Sequence, residues 1–571
     1  MSFEDALSSR QGLVESVSYE GAYIAQAIAL FIEEPDVLAL ASEGFTDGSN
    51  DKKIDFIYHD VEGRRLIFAQ GYYSKSKKDS APANKASDLN TAAAWIVSGN
   101  LDQVPENIRN TISGFRQSLA DGEIEQIDLI YVHNLPESVN VALELQTVEA
   151  HLRQALANEN ITVRSHELGK PKLDHLFAAQ DSHIEVKDDI DFPFEVGIEE
   201  SGSNWQAGVA TITGEWIKSL YEKYGDKLYS ANYRGFLGAD GRRRVNSGIK
   251  DTIERSPTDF WAFNNGITIL TLSLSEKKSG KRKLSGISII NGAQTSGTIG
   301  SVALAGSEVS DVKVLGRVIQ SSDQDTIDKI VRFNNTQNQI TTWDRFANDA
   351  DQNRISSEFA QIGFSYNRKR GFNQQGEQIG IEQVLQPLLG FHGRPRDAVR
   401  GKAQLFLQKN LYNNAFENKK ARHILLVYTL ARAIDAKRLA LKKKSNSGEL
   451  LDIENRQLEL LRNLNFKPFL LAVIANSLEV IVGTKLDTTT VAFDQKTARD
   501  SSIAELVARW VPVVESILPL LIGLPGIADF YTNLRSQDDY LSHIKGQMDG
   551  MLLATGQQER LKDFASLISP S

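Results

Sequence analysis

Residues 288–300, SIINGAQTSGTIG, run from an apolar strand pattern through an Asn-Gly pair into small and hydroxyl residues that open a helix. A strand that hands over to a helix through a polar turn is the building unit of an α/β fold. Two more polar inserts flank it in otherwise apolar sequence, FWAFNNGITIL (260–270) and VRFNNTQNQITTWDRFANDA (331–350). A buried amide without a partner costs about 1–3 kcal/mol. Asn264, Asn265, Asn291, Gln294, Asn334, Asn335 and Asn338 therefore either satisfy one another or meet a ligand.

Working outward, strands over 206–212, 265–272, 286–290 and 312–320 alternate with helices over 214–224, 292–304 and 323–334. Upstream, a helix at 13–33 leads to strands near 53–59 and 65–73. A helix at 103–120, a strand at 126–133, a helix at 138–157 and a strand at 161–165 follow, and the stretch 75–88 is a polar loop. From about residue 342 the pattern is nearly all helical, with 421–444 and 467–483 as its clearest segments. The expected fold class is α/β in the N-terminal and middle domains, followed by a mostly α-helical C-terminal region. The expected domains are 1–170, 183–400 and 401–571.

The 571 residues exceed what one core organises. With no cysteine, disulfides, thiolate zinc sites and cysteine nucleophiles are excluded, and the nine histidines form no HExxH-type cluster. A bound metal would be held by carboxylates, which points to magnesium or manganese. The net charge of −9 argues against nucleic-acid binding over the whole surface but leaves local basic patches free to act. Arg368, Lys369 and Arg370, together with Arg394 and Arg396, form the patches best placed to follow a phosphate backbone. No apolar run is long enough to span a bilayer and no secretory leader pattern opens the chain, so a cytoplasmic protein is expected.

Asp55 stands on one strand, and Gln70-Gly71-Tyr72 ends the next, after the EGRR turn. This layout resembles the PD-(D/E)xK nucleases, in which a carboxylate holds magnesium, a second residue completes the metal shell and a lysine orients water. The resemblance makes Asp55 the metal ligand and Asp55 with Gln70 the catalytic pair. Glu20, on the preceding helix, resembles the extra acid of Mrr-like members. Tyr72 occupies the lysine position, and the nearest lysines, Lys75, Lys77 and Lys78, belong to the following loop.

At the middle motifs, Gly292, Thr295 and Ser296 would let a phosphate approach a helix N-terminus, while Asn291 equally suits a helix cap. Ile327, Ile330, Val331, Asn334 and Asn338 share one helix face, Arg317 is a nearby cation, and Asn232 and Arg234 add a polar pair; the expected pocket has Asn291 to Ser296 as a phosphate seat with Asn334 to Asn338 facing it. LYSANYRGFLG (228–238), FWAFNNGITIL, IINGAQTSGTIG and FNNTQNQITTWDRFANDADQ resemble the successive signatures of the AIPR family, the abortive phage infection proteins. NGAQT and FNNTQNQI are also similar, more weakly, to motifs of ParB-like nucleotide-handling nucleases. The AIPR resemblance implies anti-phage defence, with DNA or RNA, a nucleotide ligand and other defence proteins as partners. Two readings follow: a metal-dependent nuclease with a ligand-sensing domain, or a catalytically silent module that binds nucleic acid or nucleotide and recruits partners.

Overall fold

The computed structural model describes residues 3–32, 34–46, 54–97, 99–156, 161–179, 184, 186–232, 243–275, 282–301, 309, 311–335, 349–368, 378–463, 465–527 and 537–569. The chain forms two compact units, Met1–Leu173 with Thr341–Ser571, and Asp174–Ile340. The fold class is α/β in the N-terminal and middle regions and helical in the C-terminal region.

After a short helix at Phe3–Ser8, the first unit continues with α1 (Gln11–Ile32) and α2 (Val37–Gly44). The chain breaks inside α1 at Ser18, whose φ of 71° lies in the left-handed range, and the Ser18 hydroxyl accepts from the Gly21 N–H at 3.2 Å to cap the following turns. Next come β1 (Phe56–Asp60), β2 (Arg65–Tyr72), α3 (Ala83–Val97), α4 (Glu106–Ala120), β3 (Gln126–His133), α5 (Val139–Ala155) and β4 (Thr162–Leu168). The strands lie in the order β1-β2-β3-β4, with β1 antiparallel to β2 and β2, β3 and β4 parallel. Leu66 and Phe68 of β2 and Ile127, Leu129 and Tyr131 of β3 alternate onto the face covered by α3, α4 and α5. Helix α1 covers the other face: a Cβ at Gly71 would stand 2.1 Å from the Ile24 methyl, so only glycine fits there.

Helix α3 begins at Ala83, inside the stretch 75–88 that the sequence reading placed in a loop, so the loop ends at 82. Its Ala86, Leu89, Ala92, Ala93 and Ile96 are buried at 3- and 4-residue spacing, but alanines give too faint a stripe to stand out.

The second unit holds β5 (Val186–Phe192), β6 (Val196–Ser201), β7 (Gln206–Thr213), α6 (Gly214–Tyr224), α7 (Arg243–Arg255), β8 (Ile267–Leu274), β9 (Arg282–Asn291), α8 (Ala293–Ser301), β10 (Lys313–Gln320) and α9 (Gln324–Asn335). Its six-stranded sheet has the order β5-β9-β8-β10-β7-β6, and only β8 and β10 pair in parallel. Ile267, Ile269, Ile289, Val314 and Val318 form one core with Ala293 and Ile299 of α8. Leu270, Ile290 and Ile319 form another with Ile327 and Val331 of α9. Helices α8 and α9 therefore cover opposite faces of the sheet.

The C-terminal region is built around α10 (Ile381–Phe391), α11 (Ala421–Ser447), α12 (Phe466–Val482) and α13 (Ile503–Ile522), which share one large apolar core. Arg432, Asp435, Arg438 and Lys442 recur at 3- and 4-residue steps on α11, hence on one face, and all four are buried. That face meets α2. Arg432 donates twice to Asp36 at 2.6 and 2.7 Å, and Lys442 donates to the Ser42 and Phe45 carbonyls at 2.8 and 2.6 Å, satisfying the end of α2. Lys467 of α12 reaches Asp435 at 2.7 and 2.6 Å. Burial alone would push the Asp36 carboxyl up, but the Arg432 guanidinium, with Lys467, brings it down to about 2. No single helix among the described residues is long and apolar enough to cross a membrane.

Candidate functional site

Antiparallel pairing of β1 with β2 carries the backbone N–H of Asp55 onto the Ala69 carbonyl at 3.1 Å and sets Asp55 beside Gln70. The Gln70 Nε2 donates to Asp55 Oδ2 at 2.6 Å, and the Gly71 N–H donates to the same oxygen at 2.8 Å. Gln70 is 4% exposed, and among the described residues its Oε1 has no hydrogen-bond partner. An unsatisfied buried amide oxygen is costly, and turning the Gln70 amide over would set that oxygen beside the Asp55 carboxylate, an arrangement that a bound cation would relieve. Asp55 and Gln70 thus offer two oxygens of the hard type that magnesium and manganese prefer. Among the described residues no three His, Asp or Glu side chains gather as a metal cage, so water and substrate would supply the other ligands.

Tyr72 shares the strand face of Gln70, two residues on. Its hydroxyl accepts from Lys78 Nζ at 2.8 Å, and this hydrogen bond draws the tyrosine below its ordinary value. The lysine loop is pinned at both ends. Asn134, just past β3, exchanges hydrogen bonds with the Ser74 backbone at 2.8 and 2.9 Å, and the Tyr131 hydroxyl donates to the Pro82 carbonyl at 3.2 Å. Glu20 lies one turn before Ile24 on α1, and its carboxylate meets Lys75 at 3.4 Å. Of the loop lysines, Lys78 is the one bonded to the strand pair in this way. The sequence held that pairing only as three lysines within six residues of Tyr72.

In the second unit the described residues of the first two polar inserts bond within each insert and, through Asn264 and Thr295, to each other. Asn264 Nδ2 donates to Thr295 Oγ1 at 3.2 Å, and Asn264 Oδ1 accepts the Gly266 N–H at 2.9 Å. Asn291 Oδ1 accepts the Gly292 N–H at 2.8 Å, and the Ser296 hydroxyl donates to the Gly292 carbonyl at 2.9 Å. Gly292 has a φ of 81°, and a Cβ there would stand 2.6 Å from the Gly266 carbonyl, which locks the start of α8 onto the FNNG turn. Gln294 is partly buried and Asn265 exposed.

Arg317 of β10 donates to Asn334 Oδ1 of α9, and Asn334 Nδ2 donates to the Ile330 carbonyl at 2.8 Å. Because α8 and α9 cover opposite faces, Asn334 does not face the Asn291–Ser296 segment, contrary to the shared pocket the sequence suggested. Helical spacing within α9 is local, whereas the face it covers depends on strand order. Arg234, Asn338, Lys369 and Arg370 lie outside the described residues, as do the side chains of Asn232 and Asn335. Of the basic groups, Arg368 bonds Asn353, Arg394 and Arg400 share Asp397 at 2.8 and 2.9 Å, and Lys402 is paired with Glu34 at 2.8 Å. Arg396 completes the 394–402 group.

These features define a two-unit α/β protein in which an Asp-Gln strand pair precedes an Asn-rich sheet and a helical C-terminal region. The chain belongs to the AIPR family: a family model described as AIPR protein matches residues 229–519, more than half of its length. That membership supports an abortive-infection, phage-defence role. The matched range begins inside the second unit, and the Asp55 strand pair lies before it. No curated protein and no solved structure matches the chain.

Proposed function

We propose that this AIPR protein is a cytoplasmic abortive-infection effector whose N-terminal module is a restriction-endonuclease-like nuclease dependent on magnesium or manganese. The observation that carries the reading is the Gln70–Asp55 contact of 2.6 Å with the buried, unsatisfied Gln70 Oε1 beside it. The order of strands supports it, since Asp55 enters one strand and Gln70-x-Tyr72 ends its neighbour. When bound, the metal supplies Lewis acidity toward a phosphodiester and lowers the pKa of water. Asp55 and Gln70 would hold it, and the Gly71 N–H orients the Asp55 carboxylate. Lys78, bonded to the Tyr72 hydroxyl, brings the positive charge that a lysine at position 72 would provide, and Glu20 lies on the helix crossing above Gly71.

The binding-only reading has its own support, since Tyr72 stands where a lysine would carry the charge and, among the described residues, no group of three His, Asp or Glu side chains gathers beside Gln70. Incubation of the purified protein with plasmid, single-stranded DNA and RNA, with magnesium or manganese, separates the two. Metal-dependent cleavage that Asp55→Ala lacks supports the nuclease. Binding without cleavage on every substrate supports the silent module.

A further inference from the structure

Asp55 stands one residue before the regular ladder of β1, which is the first strand of its sheet, so its main chain needs a hold that the ladder does not supply. On one side its N–H reaches the Ala69 carbonyl of β2 at 3.1 Å, and on the other its carbonyl accepts from the Thr46 N–H at 3.1 Å. The Thr46 hydroxyl donates to the neighbouring Ile54 carbonyl at 2.6 Å. Phe45 and Phe56 complete this seam as an isolated antiparallel bridge, with their rings edge to face at 5.3 Å. A Cβ at Gly44 would stand 2.1 Å from the Phe56 ring, so the last turn of α2 lies directly on β1. Residues 44–46 are the wall against which Asp55 is placed.

The C-terminal region holds that wall. Buried Lys442 of α11 donates through Nζ to the Ser42, Glu43 and Phe45 carbonyls at 2.8, 3.4 and 2.6 Å, groups that a helix end leaves without partners in the helix itself. The Phe45 carbonyl and the Thr46 N–H belong to one peptide unit. That unit is planar and rigid, with its oxygen and its hydrogen on opposite sides, so Lys442 on one side and the Asp55 carbonyl on the other cannot shift independently. Arg432 grips Asp36 at the far end of α2. The two ends of α2 thus answer to different residues of α11, and the Lys442 end is the one that adjoins Asp55. We infer that Lys442 is a positioning residue for Asp55, through which the region matched by the family model sets the geometry of an acid outside that match. Its consequence for metal binding rests on the reading of Asp55 as a metal ligand; the backbone relay does not.

The test joins two measurements on the full chain: manganese titration read by electron paramagnetic resonance of the free ion, and hydrogen–deuterium exchange of the metal-free protein read by mass spectrometry. Exchange in the peptides carrying Thr46 and Asp55 is measured against the β3 peptide, because a global loss of stability speeds both and a local release speeds only the first. Lys442→Met keeps the length of the side chain and removes the donor. It should weaken manganese binding on the order of 10-fold, the scale on which groups that orient a metal ligand act, and raise the exchange ratio. Lys442→Arg, which restores a head rich in donors, should recover both. Lys442→Gln keeps an amide donor and serves if Lys442→Met does not fold, with smaller shifts in the same directions. Arg432→Met unseats the far end of α2 and should leave the exchange ratio and the manganese affinity near wild type. An unchanged ratio in the Lys442 variants, or an equal rise in Arg432→Met, overturns the inference. Manganese binding lost in Asp55→Ala but intact in the Lys442 variants sinks the positioning role alone. Wild-type manganese binding by Asp55→Ala, with the ratio still raised in Lys442→Met, sinks the metal reading alone.

Discussion

Gln70 and Asp55 meet across adjacent antiparallel strands at 2.6 Å, with the amide nitrogen on the carboxylate and the amide oxygen buried and unsatisfied. The Gln70 amide nitrogen thus takes the position beside Asp55 that a cation would share, and the amide must turn for its oxygen to face a metal.

Gln70→Glu replaces that donor with a second carboxylate. Without metal, the variant should lose on the order of 1–3 kcal/mol of stability, from the broken hydrogen bond and the like charges. With millimolar magnesium it should recover, giving a larger metal-dependent rise in Tm than wild type. Thermal unfolding in EDTA and in magnesium reads both, and equal metal shifts in the two proteins contradict the metal assignment.

The Lys78 to Tyr72 hydrogen bond makes the tyrosine more acidic. Lys78→Met should therefore raise the Tyr72 titration midpoint toward its ordinary value near 10. Observation of the labelled tyrosine ring by NMR across alkaline pH measures the difference. Coincident titrations in wild type and variant would show that Lys78 does not act on Tyr72.

Arg432 and Asp36 form a bidentate pair that ties α11 to the segment leading into the Asp55 strand. Arg432→Met strands a buried carboxylate and should cost about 3–5 kcal/mol in denaturant melts, while Asp36→Asn combined with Arg432→Met should lose less than the two single changes together. Asp36 is depressed in the folded state, so its contribution is present above the unfolded value near 4 and disappears as pH falls toward about 2. Additive single-mutant losses would count against the pair.

His392 and His423 meet through their Nε2 atoms at 2.9 Å, and burial drives His423 down to about 4. Both rings are held neutral in the fold, and the unfolded chain takes up protons first as pH falls. Stability tied to this pair is complete above about 6.5 and declines as pH drops toward about 4. His423→Gln should flatten the stability profile over that window, which urea melts at successive pH values would reveal. A profile unchanged in slope contradicts the assignment.

Much of this was legible in the chain itself. The strand-turn-helix reading of SIINGAQTSGTIG matches β9 and α8, and the Asp55–Gln70 juxtaposition followed from two short strands joined by one turn. Helix α3 was missed because alanine gives little hydrophobic contrast. Strands β5 and β6 were missed because VKDDIDF and VGIEES carry charges on solvent-facing positions. The opposite placement of α8 and α9 could not be read from local spacing, since only the strand order fixes it.

The most direct measurement is the initial rate of metal-dependent cleavage by Asp55→Asn relative to wild type, on whichever of plasmid, single-stranded DNA or RNA the wild type cuts fastest. The variant keeps an isosteric side chain, and its Tm in EDTA establishes that it is folded. Asp55 as metal ligand predicts a rate lower by at least about 100-fold. Equal rates, or no cleavage by wild type with either metal on any of the three substrates, would contradict it.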